Sequence, residues 1–228
     1  MTPQLIPILF ENEHFVVVDK PAGWLAVPSQ WGKEDPRPVL GMRLIEQMKQ
    51  NVIPVHRLDL EVTGVTLFAK NERSHKIASG WFETREIDKM YEAWGEGEAP
   101  ADAKPGIMFE WSCHIHRGKK RAFEAPHGKL AVTRAYWKGT LDFNGQKVQH
   151  WHLDPLTGRP HQLRYELSRH NNPIVGDALY GAKLPFMEST IALRAVRLNF
   201  GSCSRSRELG VPAIVEAPSL ERLVAAKP

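Results

Sequence analysis

Two short segments concentrate the polar chemistry of this chain: His56-Arg57-Leu58-Asp59, just before the apolar run 64–69, and Gly158-Arg159-Pro160-His161-Gln162-Leu163-Arg164. A carboxylate such as Asp59 can act as a nucleophile or a general base. With a second carboxylate such as Glu61 it could hydrolyse a glycosidic bond. The plainer reading of an Asp beside an Arg is an ion pair or a turn cap, and taken alone it is the commoner one. Zinc chemistry is a third option, raised by Cys113-His114-Ile115-His116 and by His150-Trp151-His152. It is disfavoured, because no second cysteine pair stands at ligand spacing and strand alternation places His150 and His152 on one face without further ligands. The expectation is that no metal is bound.

These segments need elements to position them. Residues 14–20 read as a buried strand stopped by Pro21 and Gly23, which delivers Lys20-Pro21-Ala22-Gly23 to a turn. A helix is predicted over 41–49, with Leu44, Ile45 and Met48 on one face. A second helix over 74–85 carries Ile77, Ala78, Trp81 and Phe82 on one stripe, with Ser74 as its cap. Residues 89–94 read as a strand, and 95–106, rich in Gly, Pro, Ala and acids, as an exposed connection. Strands over 131–141 and 147–153 join through Asn144-Gly145, a strong hairpin signal. A helix over 161–169 buries Leu163 and Leu167. Ile191, Leu193 and Ala195 alternate before the phase shifts to Val196, Leu198 and Phe200, as at a bulge. Without a regular strand–helix–strand repeat, this order predicts an α+β fold.

A length of 228 residues suits one substantial core, and two wholly independent domains would be a squeeze. The hydrophobic fraction of 42% and charged fraction of 25% are those of a soluble globular protein. Apolar runs fall well short of the about 20 residues that cross a bilayer, and the opening to Phe10 lacks the pattern of an export signal. Two cysteines, Cys113 and Cys203, fit a reducing compartment, so a cytoplasmic location is expected. The net charge of +4 is mild, but Arg117, Lys119, Lys120 and Arg121 cluster, as do Arg205 and Arg207. Either cluster alone is more commonly a solvated loop. The tryptophans, including Trp24, Trp31 and Trp81, are more often core or cleft lining than a ladder for stacking bases.

Several motifs occur together in a fixed order. Asn12 to Gly23 resembles the opening strand and KPAG turn of the RluA family of RNA pseudouridine synthases, and His56 to Gly64 resembles its HRLDxxTSG loop. Lys89-Met90-Tyr91 is similar to its KxY strand, and Gly128 to Thr133 to its GKxAxT segment. Gly158 to Arg164, Pro173 to Gly181, and Leu193-Arg194-Ala195 resemble the GRTHQIR and PIVGDxxYG elements and the last strand. Spaced motifs in one order are far more specific than any single one. The chain departs from the family pattern at Val62 and Thr63, where Thr and Ser are usual, at Pro160 in place of a Thr, and at Arg194 in place of a His. His56 favours the RluA branch over the RsuA branch, where Gly is usual.

The resemblance implies a single catalytic domain over 1–228, with a mixed, mainly antiparallel sheet, flanking helices and a central catalytic cleft, and no small S4 domain ahead of it. It implies isomerisation of an RNA uridine without cofactor or metal, by a monomer whose partner is ribosomal or transfer RNA. Asp59 takes the catalytic carboxylate role, Arg164 pairs with it, and Tyr91 stacks on the uracil, its phenol available for proton transfer at C5. Arg57 and His56 contact the substrate, Arg57 facing the space left by an everted nucleotide. Leu193 floors the base pocket, although its alternation fits plain core equally. Arg117, Lys119, Lys120 and Arg121 hold phosphates. A noncatalytic RNA-binding or RNA-chaperone protein on the same fold is the alternative.

Overall fold

The computed structural model describes residues 4–29 and 35–226; Trp31 and the first three residues lie outside that range. The chain forms two compact units, one of residues up to Asp88 together with Ala195–Pro218, the other of Lys89–Arg194 with the segment from Ser219 onward.

In the first unit, β1 (Ile8–Glu11), β2 (Phe15–Lys20) and β4 (Thr63–Ala69) run antiparallel in that spatial order. The short β3 (Ile53–Pro54) pairs with β4, and β11 (Ile214–Glu216) pairs with β10 (Leu193–Asn199), which neighbours β4. Strand alternation explains how two helices are held. Phe15 and Val17, with Val65 and Leu67, pack against Ala78 and Trp81 of α2 (Glu72–Glu83). Val16 and Val18 point the other way and pack with Phe68 against Leu40 and Leu44 of α1 (Leu40–Met48). A strand covered on both faces reads as a nearly continuous apolar run, as Phe15 to Val18 of β2 and most of β4 do. Trp24 packs at the edge of the α1 cluster, and Trp81 is fully buried.

Helix α2 begins earlier than its apolar stripe suggests. Asn71 is its cap, accepting the Ser74 amide at 2.9 Å, so Ser74 sits inside the first turn and does not cap it. The phase shift near Ala195 coincides with burial on both faces of the strand. Residues 190–196 are all buried, so neither face of early β10 is marked by polar residues.

The second unit is an antiparallel array of β5 (Asp88–Gly95), β9 (Gln146–Pro155), β8 (Lys129–Phe143), β6 (Met108–Arg117) and β7 (Ala122–Glu124), in that spatial order. Phe143 pairs with Gln146, which leaves Asn144 and Gly145 as a two-residue hairpin loop, both at positive φ as a type I′ turn requires. Helix α3 (Gln162–Arg169) buries Leu163 and Leu167, and α4 (Leu220–Ala225) follows Ser219, whose side chain caps it. The whole is α+β, with a mixed, mainly antiparallel arrangement of strands. Among the described residues no helix is long and apolar enough to cross a membrane.

Gly64, at the start of β4, has a φ of +113°, and a Cβ placed there would lie 2.0 Å from the carbonyl oxygen of Ala195. Gly64→Ala is therefore expected to lower stability by at least about 3 kcal/mol, since both backbone conformation and strand packing oppose it. Chemical denaturation checks this, and a loss below about 1 kcal/mol would show that β4 and β10 separate easily.

Candidate active site

Asp59 stands at the end of an irregular stretch between β3 and β4, half-buried, with Arg57 exposed and Leu58 turned into the core. The Arg57 side chain faces solvent while its neighbour Leu58 anchors the loop. The turn closes where the Val62 amide donates to the Asp59 carbonyl at 3.2 Å.

The residue that holds this turn is Lys20, at the end of β2. Its side chain is fully buried, and its ammonium donates to the carbonyls of Pro21, Leu60 and Val62 at 3.1, 3.1 and 2.7 Å. The Gly23 amide adds a bond to the Leu60 carbonyl at 3.1 Å. Burial lowers the Lys20 pKa from 10.5 to about 8, although the charges of Asp59 and Glu61 work to raise it. At neutral pH the group is a cation bound to the two carbonyls that follow Asp59. This explains why the Lys20-Pro21-Ala22-Gly23 turn and the His56 to Gly64 loop belong together, a link the sequence reading did not draw.

His56 is also part of this scaffold. Its Nε2 accepts the Leu67 amide at 3.0 Å, and its ring stacks on Phe82 with centroids 4.7 Å apart. An accepting Nε2 is an unprotonated nitrogen, so His56 holds the loop to β4 as a neutral ring. Val62 and Thr63, the two departures beside Asp59, are buried, and the Thr63 hydroxyl has no hydrogen-bond partner.

In the second unit, Tyr91 lies half-buried on β5, paired with Leu153 of β9. Arg164, on the first turn of α3, is buried and makes a two-pronged ion pair with Asp177, Nε to Oδ2 at 2.7 Å and Nη2 to Oδ1 at 2.8 Å. Its guanidinium also lies 5.4 Å from the Tyr180 ring centroid. Asp177 is thus a partner that the sequence reading missed. Removing one member of so buried a pair strands the other charge, typically at a cost of about 3–5 kcal/mol. The helix enters through His161, in the left-handed conformation at φ 53°, with Nδ1 3.1 Å from the Tyr180 hydroxyl.

Gln162 fixes this segment. Its side-chain oxygen accepts from the Thr157 hydroxyl and the Arg159 amide at 2.7 and 3.0 Å, and its nitrogen donates to the Val132 carbonyl and Thr133 hydroxyl at 3.0 and 2.9 Å. All of a primary amide's main capacity is used, which ties the start of α3 to β8. Leu193 is buried at the start of β10. Arg117 ends β6, and Gly118, Lys119, Lys120 and Arg121 form the hairpin tip before β7, with all four basic side chains exposed. Arg117 also donates to the Lys120 carbonyl at 2.8 Å.

Residues 14–169 match the family described as RNA pseudouridylate synthase, a span that includes Lys20, Asp59, Tyr91 and Arg164. The chain belongs to this family. Similar curated proteins place it with the RluA type. The dual-specificity RNA pseudouridine synthase RluA of Vibrio vulnificus is 33% identical, over 85% of this chain and 76% of that protein. The tRNA pseudouridine synthase C of the same organism is 31% identical, over 78% and 74%. Human RNA pseudouridylate synthase domain containing 1 shares the fold, with a TM-score of 0.71 at 23% identity over 100% of this chain and 99% of that one. The protein is an RNA pseudouridine synthase, an isomerase that acts on RNA.

Lys20 makes a prediction that a purely structural residue elsewhere would not. Above pH about 8 the native amine is neutral while the unfolded one stays charged to about 10.5. The unfolded state then binds more protons, so this group's contribution to stability rises with pH through that window. Turnover should nonetheless fall there, because a neutral amine holds the loop carbonyls less well. Lys20→Met should lower kcat about 10²-fold with little change in KM, and should lack the alkaline decline. Unchanged kcat in a folded variant would show that the loop holds its shape without the cation.

Proposed function

We propose that the protein converts a uridine of ribosomal or transfer RNA to pseudouridine with Asp59 as its reacting carboxylate. The observation that carries this reading is that the span matched to the family contains Asp59, on a loop braced from beneath by Lys20. In the reaction the C1′–N1 bond breaks, the uracil turns, and C1′ rejoins through C5; C5 gives up its proton and N1 gains one. A carboxylate suits it by attacking C1′, by offsetting positive charge there, or by taking a sugar proton. Atoms are conserved, so the net reaction has no oxidant or reductant to account for.

Tyr91 is proposed to stack on the uracil, with its phenol available at C5, and Leu193 to face the base. Arg164 is proposed to act with Asp59 in the reaction, its guanidinium held by Asp177. Arg57, exposed beside Asp59, is proposed to fill the space left when the nucleotide is everted. For His56 the hydrogen bond from Leu67 and the stacking on Phe82 favour a positioning role over the substrate contact its motif suggests. The exposed hairpin tip from Arg117 to Arg121 suits phosphate contact, which positions RNA without reading its bases. The free, buried state of Cys113 and Cys203 accords with work in a reducing compartment such as the cytoplasm. No observation favours binding without turnover, or hydrolysis with Glu61.

Asp59→Asn keeps size but removes charge and basicity. It should cut tritium release from RNA labelled at uridine C5 by about 10⁴-fold while RNA binding persists. Release near the wild-type rate would remove Asp59 from the reaction.

A further inference from the structure

The sequence reading dismissed a metal at His150 and His152 because no further ligand stood near them. The fold supplies one. Strands β5 and β9 pair with Glu92 opposite His152 and Trp94 opposite His150, so Glu92 projects from the same sheet face as both imidazoles. One ligand atom from each of the three groups lies within 4.8 Å of the others. The Glu92 Oε1 to His152 Nε2 distance is 3.6 Å, too long for a good hydrogen bond. Roughly 3.3 Å separates neighbouring ligands on a tetrahedral zinc ion with bonds of about 2.0–2.1 Å.

Two further features point to a missing partner. His150 Nε2 is buried and has no hydrogen-bond partner among the described residues, a state that costs free energy unless something fills it. The other carboxylate oxygen of Glu92 accepts the Leu220 amide at 2.7 Å at the start of α4, which fixes the carboxylate as outer hydrogen bonds do for metal ligands. Burial lowers the His150 pKa to about 4, against the pull of Glu92 and helped by His152 and Lys138. Glu92 is opposed by its own burial, yet the facing imidazoles and the Leu220 amide leave its pKa below the ordinary value.

We propose that Glu92, His150 and His152 bind one zinc ion, which fastens β5, β9 and the start of α4 to one another. Two nitrogens and one oxygen suit zinc and exclude a preference for magnesium or calcium, which take oxygen ligands. The fourth position falls to water. Tyr91 neighbours Glu92 on β5 and therefore points to the opposite face, so the ion braces the strand that carries Tyr91 and takes no part in the reaction.

The test uses the full-length protein, stripped with EDTA and titrated calorimetrically with zinc sulfate and, separately, magnesium chloride. One equivalent of zinc and no magnesium should bind, the melting temperature should rise with zinc, and zinc-edge X-ray absorption should report two imidazoles. His150→Gln should abolish these effects. Glu92→Gln, which keeps an acceptor for the Leu220 amide, should weaken binding at least tenfold and serves if His150→Gln fails to fold. The stripped enzyme should keep its turnover at a temperature where it remains folded. Absence of stoichiometric zinc binding overturns the proposal, as does full binding by a folded Glu92→Gln or His150→Gln variant, or its loss on His116→Gln, which would place the ion near His127. Loss of turnover in the folded, stripped enzyme would overturn the bracing role.

Discussion

A buried ammonium group cannot be left without partners, and that requirement organises the first unit. Lys20 ends a strand covered on both faces, so its side chain has no route to water and must find acceptors inside. The carbonyls available are those of Pro21, Leu60 and Val62. Satisfying them fixes the turn after β2 and the turn after Asp59 in one operation. The Gly23 amide and the neutral His56 ring add further ties, to Leu60 and to β4. An enzyme that must present a carboxylate to a sugar carbon gains from such a loop, because geometry set before binding need not be set afterwards at the expense of affinity.

The second unit meets the same need with neutral groups and one buried ion pair. Gln162 joins the entry of α3 to Thr133, Val132 and Thr157, and Asp177 holds both prongs of Arg164. The bonds of Gln162 to Val132 and Thr133 link segments about thirty residues apart in the chain, and the Arg164–Asp177 pair ties α3 to the segment that follows it. Gly64 belongs to this logic as well, since only its missing side chain lets β4 approach the Ala195 carbonyl.

Much of this was legible in advance. Apolar runs located β2 and β4, the Asn144-Gly145 pair located its hairpin, and the periodicity of α1, α2 and α3 placed those helices within a few residues. What periodicity does not mark is which polar group meets which. Asn71 rather than Ser74 caps α2, because a cap lies three residues before the amide it binds and outside the apolar stripe. Lys20, Gln162 and Asp177 sit in motifs but look like ordinary polar residues until the fold brings their partners in. Glu92 was missed for the same reason, since it stands on a strand remote in sequence from His150 and His152 and only β5–β9 pairing sets it beside them. Near Ala195, burial on both faces removes the alternation that would have shown the register.

If the Lys20 cation is what shapes the loop, its loss must be felt first in the amides that the loop closes. Native-state hydrogen exchange on the amides of Gly23 and Val62, compared between the wild type and Lys20→Met, measures this directly. The account predicts exchange at least about tenfold faster at both positions, with the amides of the paired Val16 and Phe68 in β2 and β4 unchanged, as for local rather than global opening. Equal protection of Gly23 and Val62 in the two proteins would contradict it.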